Sequence, residues 1–222
     1  MKIRSAIDLE DSLDADLAWR KKEFTTLKFM VNSARPHERE ILKKSAISIM
    51  YSHWEGHVKH CAKVYLDYLN NKGISLIHLN DNFHQVMLGE KFNDVFSLQK
   101  YETQLSLHSF ILSKGGGENF KVRLDKVVKV DGNLKSSRLK DLILKLGLNY
   151  SSYEMKERFI DGKMLRCRNM IAHGDKLADH ELSPVYDEIQ SNLIAMIQEI
   201  NNQVRNSVVE KSYLKTSVGI YC

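Results

Sequence analysis

Ile41-Leu-Lys-Lys-Ser-Ala-Ile-Ser-Ile-Met-Tyr-Ser-His-Trp-Glu-Gly-His-Val-Lys-His-Cys-Ala-Lys-Val-Tyr-Leu-Asp-Tyr-Leu69 decides the fold. Ile41, Leu42, Ala46, Ile47, Met50, Tyr51, Trp54, Val58, Cys61, Ala62, Tyr65 and Leu69 recur at steps of three and four, the spacing of one buried stripe on an α-helix. Arg35-Pro36 stands before the segment and Asn70-Asn71-Lys72-Gly73 after it, which bounds a helix over 37–71. At 1.5 Å per residue such a helix is about 50 Å long. A rod of that length with an apolar stripe needs other helices along it.

The flanking sequence supplies them. Residues 8–33 read as a first helix, starting at Asp8 or Asp11 and stopping before Arg35-Pro36. Residues 75–90 fit a short helix or a loop, and 91–112 read as helix. Lys114-Gly-Gly-Gly117 reads as a hinge; it lacks the spacing and the following Lys-Ser/Thr of a phosphate-binding loop. Phe120-Lys-Val-Arg-Leu124 alternates briefly and is followed by Val127, Val128 and Val130, the pattern of a strand or hairpin arm ended by Asp131-Gly132. Ser136 or Ser137 caps a helix to Leu146, with Gly147 as its stop. A helix over about 152–173 follows, then a loop over 174–183. Pro184 suits the first turn of a last helix to about 206. The expectation is an all-α bundle over 1–206, with a small insertion at about 114–150 that holds the strand or hairpin, and a tail at 207–222.

The 222 residues are 43% hydrophobic and 27% charged with 2 prolines, which suits one globular domain with a sizeable core. No run is long and apolar enough for a membrane helix, and Met1-Lys-Ile-Arg-Ser-Ala-Ile-Asp-Leu-Glu10 lacks the apolar stretch of a signal peptide. Cys61, Cys167 and Cys222 show no metal spacing; the first two sit in apolar helical stripes, where a thiol acts as a small hydrophobe. These features describe a reduced, cytoplasmic protein. A net charge of +5 permits nucleic-acid binding without requiring it.

Chemistry concentrates in Leu165-Arg-Cys-Arg-Asn-Met-Ile-Ala-His-Gly174. Arginine grips phosphate with a planar fork of donors, and histidine moves protons near neutral pH. A bland alternative stands beside this: cations at a helix C-terminus offset its dipole, and Gly174 is a natural cap. Ile160, Met164, Cys167 and Ile171 mark the core face. On an unbroken helix Arg168 and His173 lie about 140° apart, too far round for one shared phosphate. Either the helix kinks or ends before His173, or the site is built from two subunits. Asn169 is the i,i+4 neighbour of His173, and Arg166 shares their face, so Arg166 stays the alternative phosphate binder.

Arg168-Asn169-Met170-Ile171-Ala172-His173-Gly174 resembles the signature of HEPN domains, an arginine four to six residues before a histidine with a polar residue after the arginine. Tyr51-Ser-His-Trp-Glu-Gly56 with Tyr65-Leu-Asp-Tyr-Leu69 looks like the second helix of the stand-alone bacterial HEPN families that accompany toxin–antitoxin and phage-defence loci. Asn133-Leu134 and Leu146-Gly147-Leu148 fit the same families in order, so the resemblance covers roughly residues 8–205. It implies a HEPN-like helical bundle and a homodimer whose motifs face each other across the two-fold. It implies a metal-independent endoribonuclease in which Arg168 stabilises phosphate charge and His173 is the acid or base, with Asn169 and Glu55 positioning them. No cofactor is implied. The expected partners are RNA, a second copy of the chain and an antitoxin or other regulatory protein. In HEPN toxins silenced by a nucleotidyltransferase antitoxin a tyrosine stands two residues after the histidine; Asp175 stands there here, which disfavours that control. A non-catalytic scaffold and a nucleotide-binding regulator are the alternatives.

Two other clusters carry a weaker signal. His53, His57 and His60 share a helix face, but no carboxylate completes a metal set at helical spacing, so that face is expected to be solvated or at an interface. Lys121, Arg123, Lys126, Lys129, Lys135, Arg138, Lys140 and Lys145 form a basic run interrupted by Asp125, Asp131 and Asp141. An ordinary solvated face is favoured for it over an RNA track.

Overall fold

The computed structural model describes residues 2–92, 100–113, 117–129 and 133–215. In chain order the elements are α1 (Ala6–Ser33), α2 (Pro36–Lys72), a 3-10 turn (Leu76–His78), α3 (Asp81–Lys91), α4 (Tyr101–Leu112), α5 (Leu124–Val127), α6 (Ser136–Lys145), α7 (Ser151–Glu154), a π-helical stretch (Arg158–Leu165), α8 (Arg166–His173) and α9 (Asp179–Glu210). The fold is all-α. The long helices α1, α2 and α9 pack along one another, and the π-helical stretch and α8 lie against α2.

α2 is the spine that its stripe predicts. Ala46 through Leu69 of the stripe are buried, and Gly73 ends the helix in the left-handed region at φ 62°. Ile41 departs from the stripe and is 66% exposed. Lys43 turns inward nearby instead, because its ammonium reaches Asp179 at 2.8 Å and Ser183 at 2.6 Å at the start of α9. α1 begins earlier than the sequence suggested. Ser5 caps it, accepting from the Asp8 amide at 3.0 Å while Asp8 accepts from the Ser5 amide at 2.9 Å.

Three expectations need correcting. α9 starts at Asp179, so Pro184 sits inside the helix, where it removes one ladder donor. The Lys43 anchor and the Ala178 amide bonded to Glu181 at 3.0 Å nucleate that earlier turn. The helix also runs on past 206 to Glu210, and Tyr213 beyond it is buried. No strand forms among the described residues of the 120–130 region: Leu124–Val127 is helical. The alternation is nonetheless physical, since Phe120 and Val122 both face inward. A single antiparallel bridge joins Asn119 to Ser75, with the Phe120 amide donating to the Ile74 carbonyl at 2.9 Å, and a side chain takes over from there. Asn70 donates to the Val122 carbonyl at 2.8 Å and accepts from its amide at 2.9 Å, as a strand partner would.

The ambiguous 75–90 segment resolves into the 3-10 turn and α3. Of the helix expected over 91–112, α4 holds the later part and residues 93–99 lie outside the described residues. Lys114 to Gly116 of the hinge, Val130, the Asp131-Gly132 turn, and the tail from 216 with Cys222 also lie outside them. No described helix is long and apolar enough to cross a membrane.

Candidate active site

The motif sits at the end of a helical rod that changes pitch. The π-helical stretch buries Phe159, Ile160, Met164 and Leu165, and Cys167 continues that face into α8. Local π geometry often marks functional positions. α8 is unbroken through His173. Gly174 then takes φ 81°, its amide donating to Ile171 at 3.1 Å and the Asp175 amide to Met170 at 3.0 Å, the paired bonds of a Schellman cap. The helix therefore neither kinks nor ends before His173. The offset of about 140° between Arg168 and His173 stands within one chain.

Arg168 is half-buried and held on three sides. Its guanidinium carbon lies 5.1 Å from the centre of the Tyr51 ring. One terminal nitrogen, Nη1, donates to Asn133 Oδ1 at 2.8 Å and to Asn169 Oδ1 at 3.0 Å. Asn133 Nδ2 in turn donates to Asn169 Oδ1 at 3.1 Å. Nη2 and Nε bond to no described residue, so one edge of the fork is spoken for and the other is open. Arg166 differs: it is exposed and bonded to no described residue. His173 is also exposed, at the C-terminal end of α8.

Glu55 approaches this cluster through Tyr51. It accepts from the Tyr51 hydroxyl at 3.0 Å and from Lys59 at 2.6 Å, and hydrogen-bonds to neither Arg168 nor His173. The Tyr51 hydroxyl also accepts from the Leu134 amide at 2.8 Å. Burial, and then the Glu55 charge, push the Tyr51 hydroxyl above the usual phenol range, so it stays a neutral donor. The structure thus joins Arg168, Asn169 and Glu55 through Tyr51 and Asn133. Asn133-Leu134 and Tyr51 both belong to segments that carry the resemblance, and Tyr51 also to the apolar stripe, but the sequence assigns neither to the site. Their partners are 35 and 83 residues away in sequence, beyond the reach of any periodicity.

The histidine face of α2 corrects its expectation. His57 is 0% exposed and His53 4%, packed against α1 rather than solvated. Asp16 Oδ2 takes His57 Nδ1 at 2.6 Å and Arg20 Nε at 2.7 Å. Arg20 Nη1 donates to the His53 carbonyl at 3.0 Å and lies 3.1 Å from His53 Nδ1, while His53 Nε2 meets Glu23 at 2.7 Å. Gly56 is small for a reason: a Cβ there would stand 3.1 Å from Arg20 Nη2. Among the described residues no group of three or more His, Cys, Asp or Glu is arranged to hold a metal ion. Cys61 and Cys167 are buried; the Cys61 sulfur lies 3.3 Å from His57 Nε2, and burial pushes its thiol up.

A search of the curated proteins and a search of the solved structures each found no match. A profile of the RiboL-PSP-HEPN family matches residues 15–210, a span that runs from α1 to the end of α9 and takes in the Tyr51–Asn133–Arg168 cluster and His173. The chain belongs to the RiboL-PSP-HEPN family.

Proposed function

We propose that the protein is a metal-independent endoribonuclease that acts as a homodimer. HEPN domains are often ribonucleases, and the built environment of Arg168 is the observation that carries this reading. A half-buried arginine fixed on one edge by two amide oxygens and seated on a ring is pre-organised to meet a phosphate with its free edge. Arg168, rather than Arg166, is therefore the phosphate binder. RNA carries its own nucleophile in the 2′-hydroxyl, so the protein need only move protons and neutralise charge. His173 is the proton-transfer residue, and its exposure leaves it free to reach a substrate.

The 140° offset favours a site shared between two chains, each histidine working beside the partner's arginine. Cleavage then yields a 2′,3′-cyclic phosphate or 3′-phosphate and a free 5′-hydroxyl. The biological role that fits is a growth-arresting toxin or defence effector held in check by a regulatory protein.

The test is cleavage of total RNA by purified protein in excess chelator. Wild type is expected to cut, and His173→Ala and Arg168→Ala to lose at least about 100-fold in rate, the lower range for removing a proton-transfer group or a charge-stabilising donor. Arg166→Ala should retain most activity. Equal cleavage by His173→Ala and wild type would end the assignment, and loss in chelator with recovery on added metal would end the metal-independent mechanism.

A further inference from the structure

Part of the basic run, at Lys126, Lys129, Arg138 and Lys145, lines one cleft. α5 and the residues just after it face the solvent side of α6, and the end of α3 closes the far side. Two adjoining hollows of about 220 and 150 Å³ share Val127 and Lys145. Lys126, Lys129, Arg138 and Lys145 line them. Among the described residues the acids in the lining are Glu90 and Asp141. Glu90 is held by Arg123 at 2.6 Å, with Lys126 at 3.9 Å, and Asp141 by Lys145 at 2.7 Å. Asp125 of the same stretch turns away to Lys63 of α2 at 2.7 Å. Of the cations that line the hollows, Lys126 and Lys145 stand beside these carboxylates, and Arg138 is exposed with no described partner.

The cleft is close to the arginine cluster. Asn133, bonded to Arg168, is joined to Arg138 by five residues, three of them before or at the start of α6. That path is no more than about 14 Å. Lys145 stands about 10 Å further along the same helix.

We infer that this cleft holds the sugar–phosphate backbone of single-stranded RNA on one side of the phosphate gripped by Arg168. The inference rests on the ribonuclease reading. Its chemistry is that of a cationic groove following a charged strand. Hollows of this size match the phosphates of one strand rather than whole bases. Among the described residues the lining holds no aromatic ring, so the grip falls on phosphates and carries little base preference. The Asp141–Lys145 pair is solvent-exposed and yields readily to phosphate, whereas the Glu90 carboxylate is largely buried and stays with Arg123.

The test is binding of a fluorescent 12-nucleotide RNA made uncleavable by 2′-O-methyl groups, read by anisotropy against salt. Arg138→Glu with Lys145→Glu should weaken binding more than about tenfold and lower the salt slope by about two. Lys22→Glu with Lys28→Glu on α1, the same change in net charge, should weaken it less than about threefold. The glutamine versions of the cleft pair should fall between, which separates lost contacts from repulsion. Unchanged affinity in the cleft variant, equal loss in the α1 variant, no binding by wild type, or competition by poly-glutamate as strong as by RNA would each overturn the inference. The two readings fail separately. Wild type that cleaves RNA while the cleft variant binds normally removes the cleft alone. Wild type that binds through the cleft but cleaves nothing removes the ribonuclease reading alone.

Discussion

Tyr51 is the residue on which the arginine cluster turns. Its ring carries Arg168, its hydroxyl donates to Glu55, and that hydroxyl accepts from Leu134 beside the Asn133 that fixes the same arginine. Under the proposed function Glu55 acts through Tyr51, whose hydroxyl it holds, rather than by touching Arg168 or His173. Tyr51→Phe keeps the ring and deletes the hydroxyl. It leaves the Leu134 amide without its partner, at a cost of about 1–3 kcal/mol in stability. If the ring drifts, the open edge of Arg168 drifts with it, and misplacement of that order costs up to about 100-fold in rate. The expected result is a fall in kcat with little change in KM. A change confined to stability would make Tyr51 a core residue only. The motif residues themselves were legible, because arginine, asparagine and histidine lie within six positions of one helix. Tyr51 and Asn133 were not legible as site residues, because only the tertiary packing of α2, α8 and the 133–134 segment brings them to Arg168.

At the scale of elements, sequence periodicity located α1, α2, α6 and the motif helix well, since each buries one stripe. It failed where a long-range polar contact outweighs local propensity. Lys43 and Glu181 draw α9 back to Asp179, and Asn70 replaces the strand partner that Val122 lacks. The largest failure was the histidine face of α2, because nothing local shows that Asp16 and Arg20 of α1 lie opposite. That seam makes a strong prediction. Arg20→Met leaves Asp16 buried without its guanidinium, and loss of one partner of a buried pair costs about 3–5 kcal/mol. The seam also sets the response to acid. Burial holds the folded-state pKa of both His53 and His57 below the ordinary imidazole value. The unfolded chain then binds more protons as pH falls below about 6.5, so stability declines from there. Burial pushes Asp16 up, but hydrogen bonds from His57 and Arg20 outweigh it and hold the carboxyl well below its usual range. Its stabilisation is complete above about 3.9 and is lost below that. Urea melts between pH 8 and 3 should show two declines, with the first reduced in His53→Gln. A flat profile across pH 7–5 would contradict the histidine part.

At the scale of the whole molecule, the sequence carried the all-α bundle because a helix of about 50 Å with one apolar stripe has few ways to bury it. It carried the angular conflict between Arg168 and His173 as well, and α8 preserves that conflict by staying helical to Gly174. A single chain thus presents a prepared arginine and an exposed histidine on different sides of one helix. Two chains related by a two-fold axis can place the arginine of one beside the histidine of the other, giving two equivalent composite sites. Mixing tests this directly. His173→Ala and Arg168→Ala chains are each inactive alone, yet their heterodimer restores one intact site and leaves its twin doubly defective. With random exchange half the dimers are mixed, so about a quarter of wild-type activity should return. Recovery should rise with mixing time, because subunits must exchange before a site can form. A mixture that stays inactive after complete exchange would exclude the arginine of one chain working with one histidine of the other. One wild-type chain paired with one mutant would then be fully impaired if both histidines serve one site, and half active if each site lies within one chain. Full activity at dilutions where only monomer sediments would exclude both two-chain arrangements. His173 would then have to reach the Arg168 phosphate within one chain, through a local unwinding of α8 that the Schellman cap at Gly174 resists.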